Sequence, residues 1–178
     1  AENRAVEEVL LPEEIDAVGE SGAEGVGLFR TEFLFLNKQV LPSEDEQFAA
    51  YKTVVEKCAP HAVIIRTLDV GGDKLMHLPD MPEEPNPFLG CRAIRLCLDQ
   101  PDLFKTQLRA ILRASAHGRV RIMYPMVSSL DEVRKANGIL AECKTELAGE
   151  GRPFDKGIET GTMIEVPAAA LIAHALAR

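Results

Sequence analysis

Short apolar runs alternate with amphipathic helical stretches about five times along this chain, and no hairpin turn signal joins one run to the next. Strands that are always separated by a helix pair in parallel, through right-handed crossovers that bring successive strand ends to one side of the sheet. The expectation is therefore a parallel α/β domain. Five βα units make either part of a barrel or an open doubly wound sheet, and the pattern alone leaves both open.

The individual runs carry different signals. Val9-Leu10-Leu11 is short and apolar, and Pro12-Glu13-Glu14 opens a helix on which Ile15 and Val18 share a face. Val26-Gly27-Leu28-Phe29 predicts a buried strand that delivers Arg30 to its end. Ser43 and Glu46 form a capping-box pattern, and Phe48, Tyr51, Val54, Val55 and Cys58 recur at helical spacing, which predicts a helix from Glu44 to Cys58. Ala62-Val63-Ile64-Ile65 is uniformly apolar, as for a parallel strand covered on both faces; Arg66 and Asp69 follow it, and Gly71-Gly72 ends the strand. Lys74 to Pro87 contains four prolines and no period, so an irregular excursion over one end of the sheet is expected.

Two helices are predicted next, Cys91 to Leu98 and Asp102 to Ala116. The second carries a stripe of Leu103, Phe104, Leu108, Ile111 and Leu112 in which Gln107 is the polar exception. Val120 to Pro125 has strand character, and Ser129 with Glu132 forms a second capping box before a helix reaching Leu147. Met163-Ile164-Glu165-Val166 is the last predicted strand, and Pro167 opens an alanine-rich helix running to the end.

With 178 residues the chain holds one domain with a real core, yet it falls below the ~250 residues of a complete eight-fold β/α barrel. The formal net charge of -8 argues against a general nucleic-acid surface or an anionic membrane, so any anion site must be a local basic pocket. The four cysteines form no C-x-x-C pair and no ligand cluster with the histidines, which fits a reduced, cytoplasmic chain. No apolar run reaches the ~20 residues needed to span a bilayer.

Charged side chains at strand ends carry the functional signal. Arg30 and Arg66 end two successive predicted strands, so their guanidinium forks can face one pocket and match the oxygens of phosphate or carboxylate. The competing reading is a sealed rim, with Arg30 paired to Glu32 or Arg66 to Asp69. Glu165 interrupts an apolar run, and a carboxylate buried there needs an arginine partner or a cation such as Mg²⁺, which takes one or two carboxylates and completes its shell with water and substrate oxygens. Arg92, just after Asn86-Pro87-Phe88-Leu89-Gly90, reads by itself as a solvated helix arginine.

Four motifs then fall together: Gly25 to Phe35 around Arg30-Thr31-Glu32, Ile65 to Lys74 around Arg66-Thr67-Leu68-Asp69, Asn86 to Arg95 around Arg92, and Met163 to Ala170 around Glu165. In order and approximate spacing they resemble the phosphoenolpyruvate-binding domain of the Enzyme I family, the phosphotransferases of the bacterial sugar phosphotransferase system. The resemblance implies a TIM-type (β/α)₈ barrel of which residues 1–178 are a single partial domain with about the first five units. It implies that Arg30, Arg66 and Arg92 neutralise the phosphoryl group and enol oxygen of phosphoenolpyruvate, and that Glu165 is one Mg²⁺ ligand. It also implies a cytoplasmic homodimer that passes the phosphoryl group to a histidine on a separate domain and then to the phosphocarrier HPr.

The family's second metal carboxylate, its substrate-carboxylate ligands and its cysteine acid lie on strands beyond Arg178. No residue here is therefore expected to be catalytic, and the chain alone is expected to be inactive. Pyruvate phosphate dikinases and phosphoenolpyruvate synthases resemble Enzyme I in this domain, but the Arg30 to Phe35 stretch and the compact loop before Asn86 favour Enzyme I. A reading of another class is a non-catalytic dimerisation or binding module, with apolar surface exposed on the first and fifth strands.

Overall fold

Both capping boxes close on real hydrogen bonds in the computed structural model of the chain, which describes residues 7–9, 14–20, 22–36, 40–71 and 90–178. Ser43 Oγ accepts from the Glu46 amide while Glu46 accepts from the Ser43 amide, and Ser129 and Glu132 do the same. These caps start α2 (Glu44–Cys58) and α5 (Leu130–Gly149), the two longest helices. Between them α3 (Ile94–Asp99) leads into α4 (Pro101–Ala114), which Pro101 opens at its first turn. A short α1 (Ile15–Glu20) precedes them and buries Ile15 and Val18, as their spacing predicts.

Five strands, β1 (Glu7–Val9), β2 (Gly25–Phe29), β3 (Ala62–Arg66), β4 (Arg119–Tyr124) and β5 (Glu159–Thr162), form one sheet. Every neighbouring pair is parallel and the spatial order is β1-β2-β3-β4-β5, the order of the sequence. A doubly wound sheet reverses its strand order at a switch point, and no reversal occurs here. With right-handed crossovers, an unreversed order sends all the helices to the same face. The sheet is open among the described residues.

That layering corrects the expectation for β3. In β3 and β4 the side chains alternate: Val63, Ile65, Val120, Ile122 and Tyr124 are buried, while Ile64, Arg121 and Met123 are partly or fully exposed on the opposite face. One face is covered, not two. The buried face packs on α2, α4 and α5 through Tyr51, Phe104, Leu108, Ile111 and Leu140. Two glycines permit close approach. A Cβ on Gly25 (φ +147°) would sit 2.8 Å from the Ala62 carbonyl oxygen, and one on Gly118 would sit 2.8 Å from Val55 Cγ1.

Other boundaries also move. The first strand is described over Glu7–Val9, while Leu10 and Leu11 of the predicted run lie outside the described residues. The third strand stops at Arg66, and Gly71 instead makes an isolated antiparallel bridge with Arg92. The Lys74 to Pro87 excursion lies outside the described residues. The last strand is Glu159–Thr162 and not Met163 to Val166; its residues are polar or glycine and mostly exposed. The alanine-rich segment is two short helices, α6 (Pro167–Leu171) and α7 (Ala173–Leu176), broken at Ile172.

Candidate functional site

Parallel pairing fixes the level of each strand tip. Phe29 is opposite Ile65, and Arg66 is opposite Met123, so Arg30 and Arg66 leave neighbouring strands side by side at the carboxyl end of the sheet. The ladder continues past the strands: the Arg30 amide donates to the Val9 carbonyl (3.0 Å), the Thr67 amide to Met123 (3.0 Å) and the Met163 amide to Tyr124 (2.9 Å). Arg92 reaches the same place by another route. Its bridge to Gly71, and a 3.2 Å bond from the Ala93 amide to the Val70 carbonyl, pin the start of α3 over the loop after β3. Ala93 is fully buried at φ +52°, a left-handed conformation that a non-glycine residue keeps only when its surroundings hold it there.

The three arginines line one cavity of about 520 Å³, together with Glu14, Glu32, Asp69, Phe33 and Leu36. Ion pairs hold the guanidinium groups in place. Arg66, only 6% exposed, has Nη2 at 2.6 Å from Glu32 Oε1 and Nη1 at 3.4 Å from Asp69 Oδ2. Arg92 Nη2 lies 2.8 Å from Asp69 Oδ1, and Arg30 Nε lies 2.6 Å from Glu8 Oε1. The pairing foreseen between Arg66 and Asp69 is present; Glu32, however, serves Arg66 rather than Arg30, which takes Glu8 instead. Arg66 Nε, Glu32 Oε2 and Thr67 Oγ1 are buried without a hydrogen-bond partner among the described residues. Arg66 and Glu32 line the cavity, and orphaned polar atoms at such a wall mark a place that water or a polar ligand completes.

Glu165 stands apart from this group. It follows the last strand instead of interrupting it, is exposed, and does not line the cavity. Its Oε1 accepts a 2.7 Å bond from the Met126 amide, which the positive φ of Met126 (56°) presents to it. Met163, two residues earlier, does touch Arg66, whose Nη1 lies 3.8 Å from its Sδ. Among the described residues no group of three or more His, Cys, Asp or Glu could hold a metal ion.

Beneath the arginines lies a set of polar residues that motif reading passed over. Gln107, the polar exception in the stripe of α4, is 1% exposed and bonded in three directions. Its signal in the sequence was its type: an amide in an apolar stripe is costly to bury unless something bonds it. Burial also pushes the Tyr51 hydroxyl far above its usual range, so it stays a proton donor, to Gln47 at 3.1 Å. A larger cavity of about 680 Å³ lies between α5, β5 and α7 and contains none of the site arginines.

Residues 4–178 match a family model described as PEP-utilising enzyme, PEP-binding domain, where PEP is phosphoenolpyruvate. The chain belongs to this family. Similar PEP-utilising relatives are the phosphoenolpyruvate-protein phosphotransferases of Priestia megaterium, 52% identical over 167 residues, Staphylococcus aureus, 50% identical, and Bacillus subtilis, 49% identical. Each alignment covers 94% of this chain and 29% of the relative, so the chain spans less than a third of the length of these PEP-utilising proteins. No helix among the described residues is long and apolar enough to cross a membrane.

Proposed function

We propose that this chain is the anion-holding part of a phosphoenolpyruvate-protein phosphotransferase. The observation that carries the reading is the convergence of Arg30, Arg66 and Arg92 on one cavity at the carboxyl end of a parallel sheet. In a whole enzyme the five units belong to a (β/α)₈ barrel, and their unreversed strand order supports that winding. Phosphoryl transfer asks little covalent chemistry of such a site. As the bond between phosphorus and the enol oxygen breaks, charge spreads over the phosphoryl oxygens and the departing enolate, and fixed guanidinium groups offset it. Glu32, Asp69 and Glu8 hold those groups in the geometry that the incoming anion meets, so little reorganisation is left for the reaction itself.

The acceptor is a histidine on a separate domain, and HPr follows it in sugar uptake. Glu165 would supply one carboxylate to Mg²⁺, which takes one or two such groups and is otherwise held by water and substrate oxygens. When bound, the ion neutralises phosphoryl charge; the chain's own contribution is the arginine cradle. This reading places the protein in the cytoplasm, makes the parent a homodimer and leaves the isolated chain inactive.

The test is a chimera. This segment replaces the matched 167 residues of the Priestia megaterium phosphotransferase, and transfer from phosphoenolpyruvate to HPr is followed. The chimera is expected to be active, and Arg30→Met, Arg66→Met or Arg92→Met in it to lower kcat/KM by about 10²-fold or more. An active chimera indifferent to all three substitutions would sink the proposal.

A further inference from the structure

We infer that Gln107 is a positioning residue that sets the spacing of Arg30 and Arg66, an inference that deepens the phosphoenolpyruvate reading and rests on it. Its amide group spends both donors and its acceptor inside the fold. Nε2 donates to Thr31 Oγ1 (3.1 Å) and to the Tyr51 hydroxyl (3.2 Å), and Oε1 accepts from the Leu68 amide (2.9 Å). Thr31 Oγ1 in turn donates to the Arg66 carbonyl (3.1 Å). Gln107, Thr31, Tyr51 and Leu68 are each no more than 1% exposed.

The direction of every bond is determined. Thr31 gives its one proton to Arg66 and so must accept from Gln107; Tyr51 gives its proton to Gln47 and must accept as well. One helix side chain thereby grips the residue after Arg30 and the main chain on both sides of Thr67, which are the exits of β2 and β3. Pairing between β2 and β3 ends at Phe29 and Ile65, so beyond that point the network, and not the ladder, links the two tips to each other.

Stability alone does not require such a network, because replacing a satisfied polar set with well-packed apolar groups is often nearly neutral. What an apolar stripe lacks is direction. A leucine or methionine at position 107 fills the space but leaves the tips free to slide relative to one another, and a fork placed ~1 Å off loses much of its match to a phosphoryl group.

The experiment uses this chain with four substitutions, each checked for folding by thermal denaturation: Gln107→Met, Thr31→Val, Thr31→Ser, and Ile111→Val as a core control on the same helix. Side-chain NMR reads the rotation of the Arg66 guanidinium, and calorimetry reads phosphoenolpyruvate binding. Slow rotation is expected in the wild type, Thr31→Ser and Ile111→Val, and averaged signals in Gln107→Met and Thr31→Val. Binding by the last two is expected to weaken about tenfold, with Thr31→Ser close to the wild type.

If Gln107→Met does not fold, the Thr31→Val and Thr31→Ser pair decides. Unchanged Arg66 rotation in both network variants overturns the inference, as does binding no weaker than that of Ile111→Val. A wild type that binds no phosphoenolpyruvate, while the network variants still free Arg66, upholds the role of Gln107, and the substrate reading is then decided by the chimera.

Discussion

Arg66 is the side chain on which the ion pairs of the site converge, and its removal strands carboxylates rather than merely deleting a charge. Glu32 and Asp69 are 15% and 12% exposed at their side chains. Arg66→Met is expected to lower unfolding stability by about 3 kcal/mol, and Glu32→Gln added to it to restore part of the loss, in urea denaturation. No recovery in the double variant would show that Glu32 is not held by Arg66. The thiols make a second residue-scale prediction. Burial pushes the Cys143 thiol up to about 12 and raises those of Cys58 and Cys97. At pH 8 a thiol reagent is expected to label Cys91, which is partly exposed, well before the other three; equal rates at all four would contradict that packing. Convergence of Arg30 and Arg66 was legible because both follow apolar strand runs. The pair of Arg66 with Asp69, three positions along, was legible too; Glu32 as a partner of Arg66 and Glu8 as that of Arg30 were not, because parallel pairing sets a residue beside one 34 positions away (Arg66 and Glu32), whereas local reading looks two or three along.

Helices were the most legible elements, because their ends are written in side chains. The helix read at about Glu44 to Cys58 is found there, since Ser43 and Glu46 close the box that starts it. Ser43→Ala and Ser129→Ala are each expected to cost about 1 kcal/mol, nearly additively, in denaturant titration. The edge strand was the least legible. Its polar Glu159-Thr160-Gly161-Thr162 lacks the apolar signature, while Met163-Ile164 beyond it carries one without being strand. Between helices, Arg109 and Arg113 of α4 tie Glu44 and Asp45 of α2 to Glu146 of α5 and Glu150 just past its end. Hydrogen bonds from Arg113, Lys105 and Arg109 hold Asp45, Glu146 and Glu150, respectively, below their ordinary values. Carboxylates depressed in the folded state stabilise it above their unfolded values, 3.8 for Asp and 4.5 for Glu, and that gain disappears as pH falls through the folded ones. Tm is therefore expected to fall from about pH 4.5 downward. Arg109→Met is expected to lower Tm at pH 7 by about 2 to 4 °C and to flatten the acid slope. An unaltered slope would remove these pairs as its cause.

At the scale of the molecule, the expected apolar fifth strand is absent: β5 presents threonine and glycine, and the large exposed hydrophobics among the described residues are Val40, Ile164 and Leu171. Self-association is therefore expected to run through the segment after β5. Ile164→Lys with Leu171→Lys should shift size-exclusion elution toward the monomer; an unshifted oligomer would point elsewhere. Parallel architecture was legible from the helix between every pair of strands, but the one-sided covering was not, because an apolar run reads the same with one face packed or two. The unreversed strand order has a last consequence, during synthesis on the ribosome. Each strand that emerges finds the neighbour it needs already made, and no strand must wait for a later one to separate it from an earlier partner. With synthesis at about 5–20 residues per second, the nascent chain can seat both arginine tips on Gln107 once the helix ending at Ala114 has cleared the exit tunnel, while β4 is still inside it.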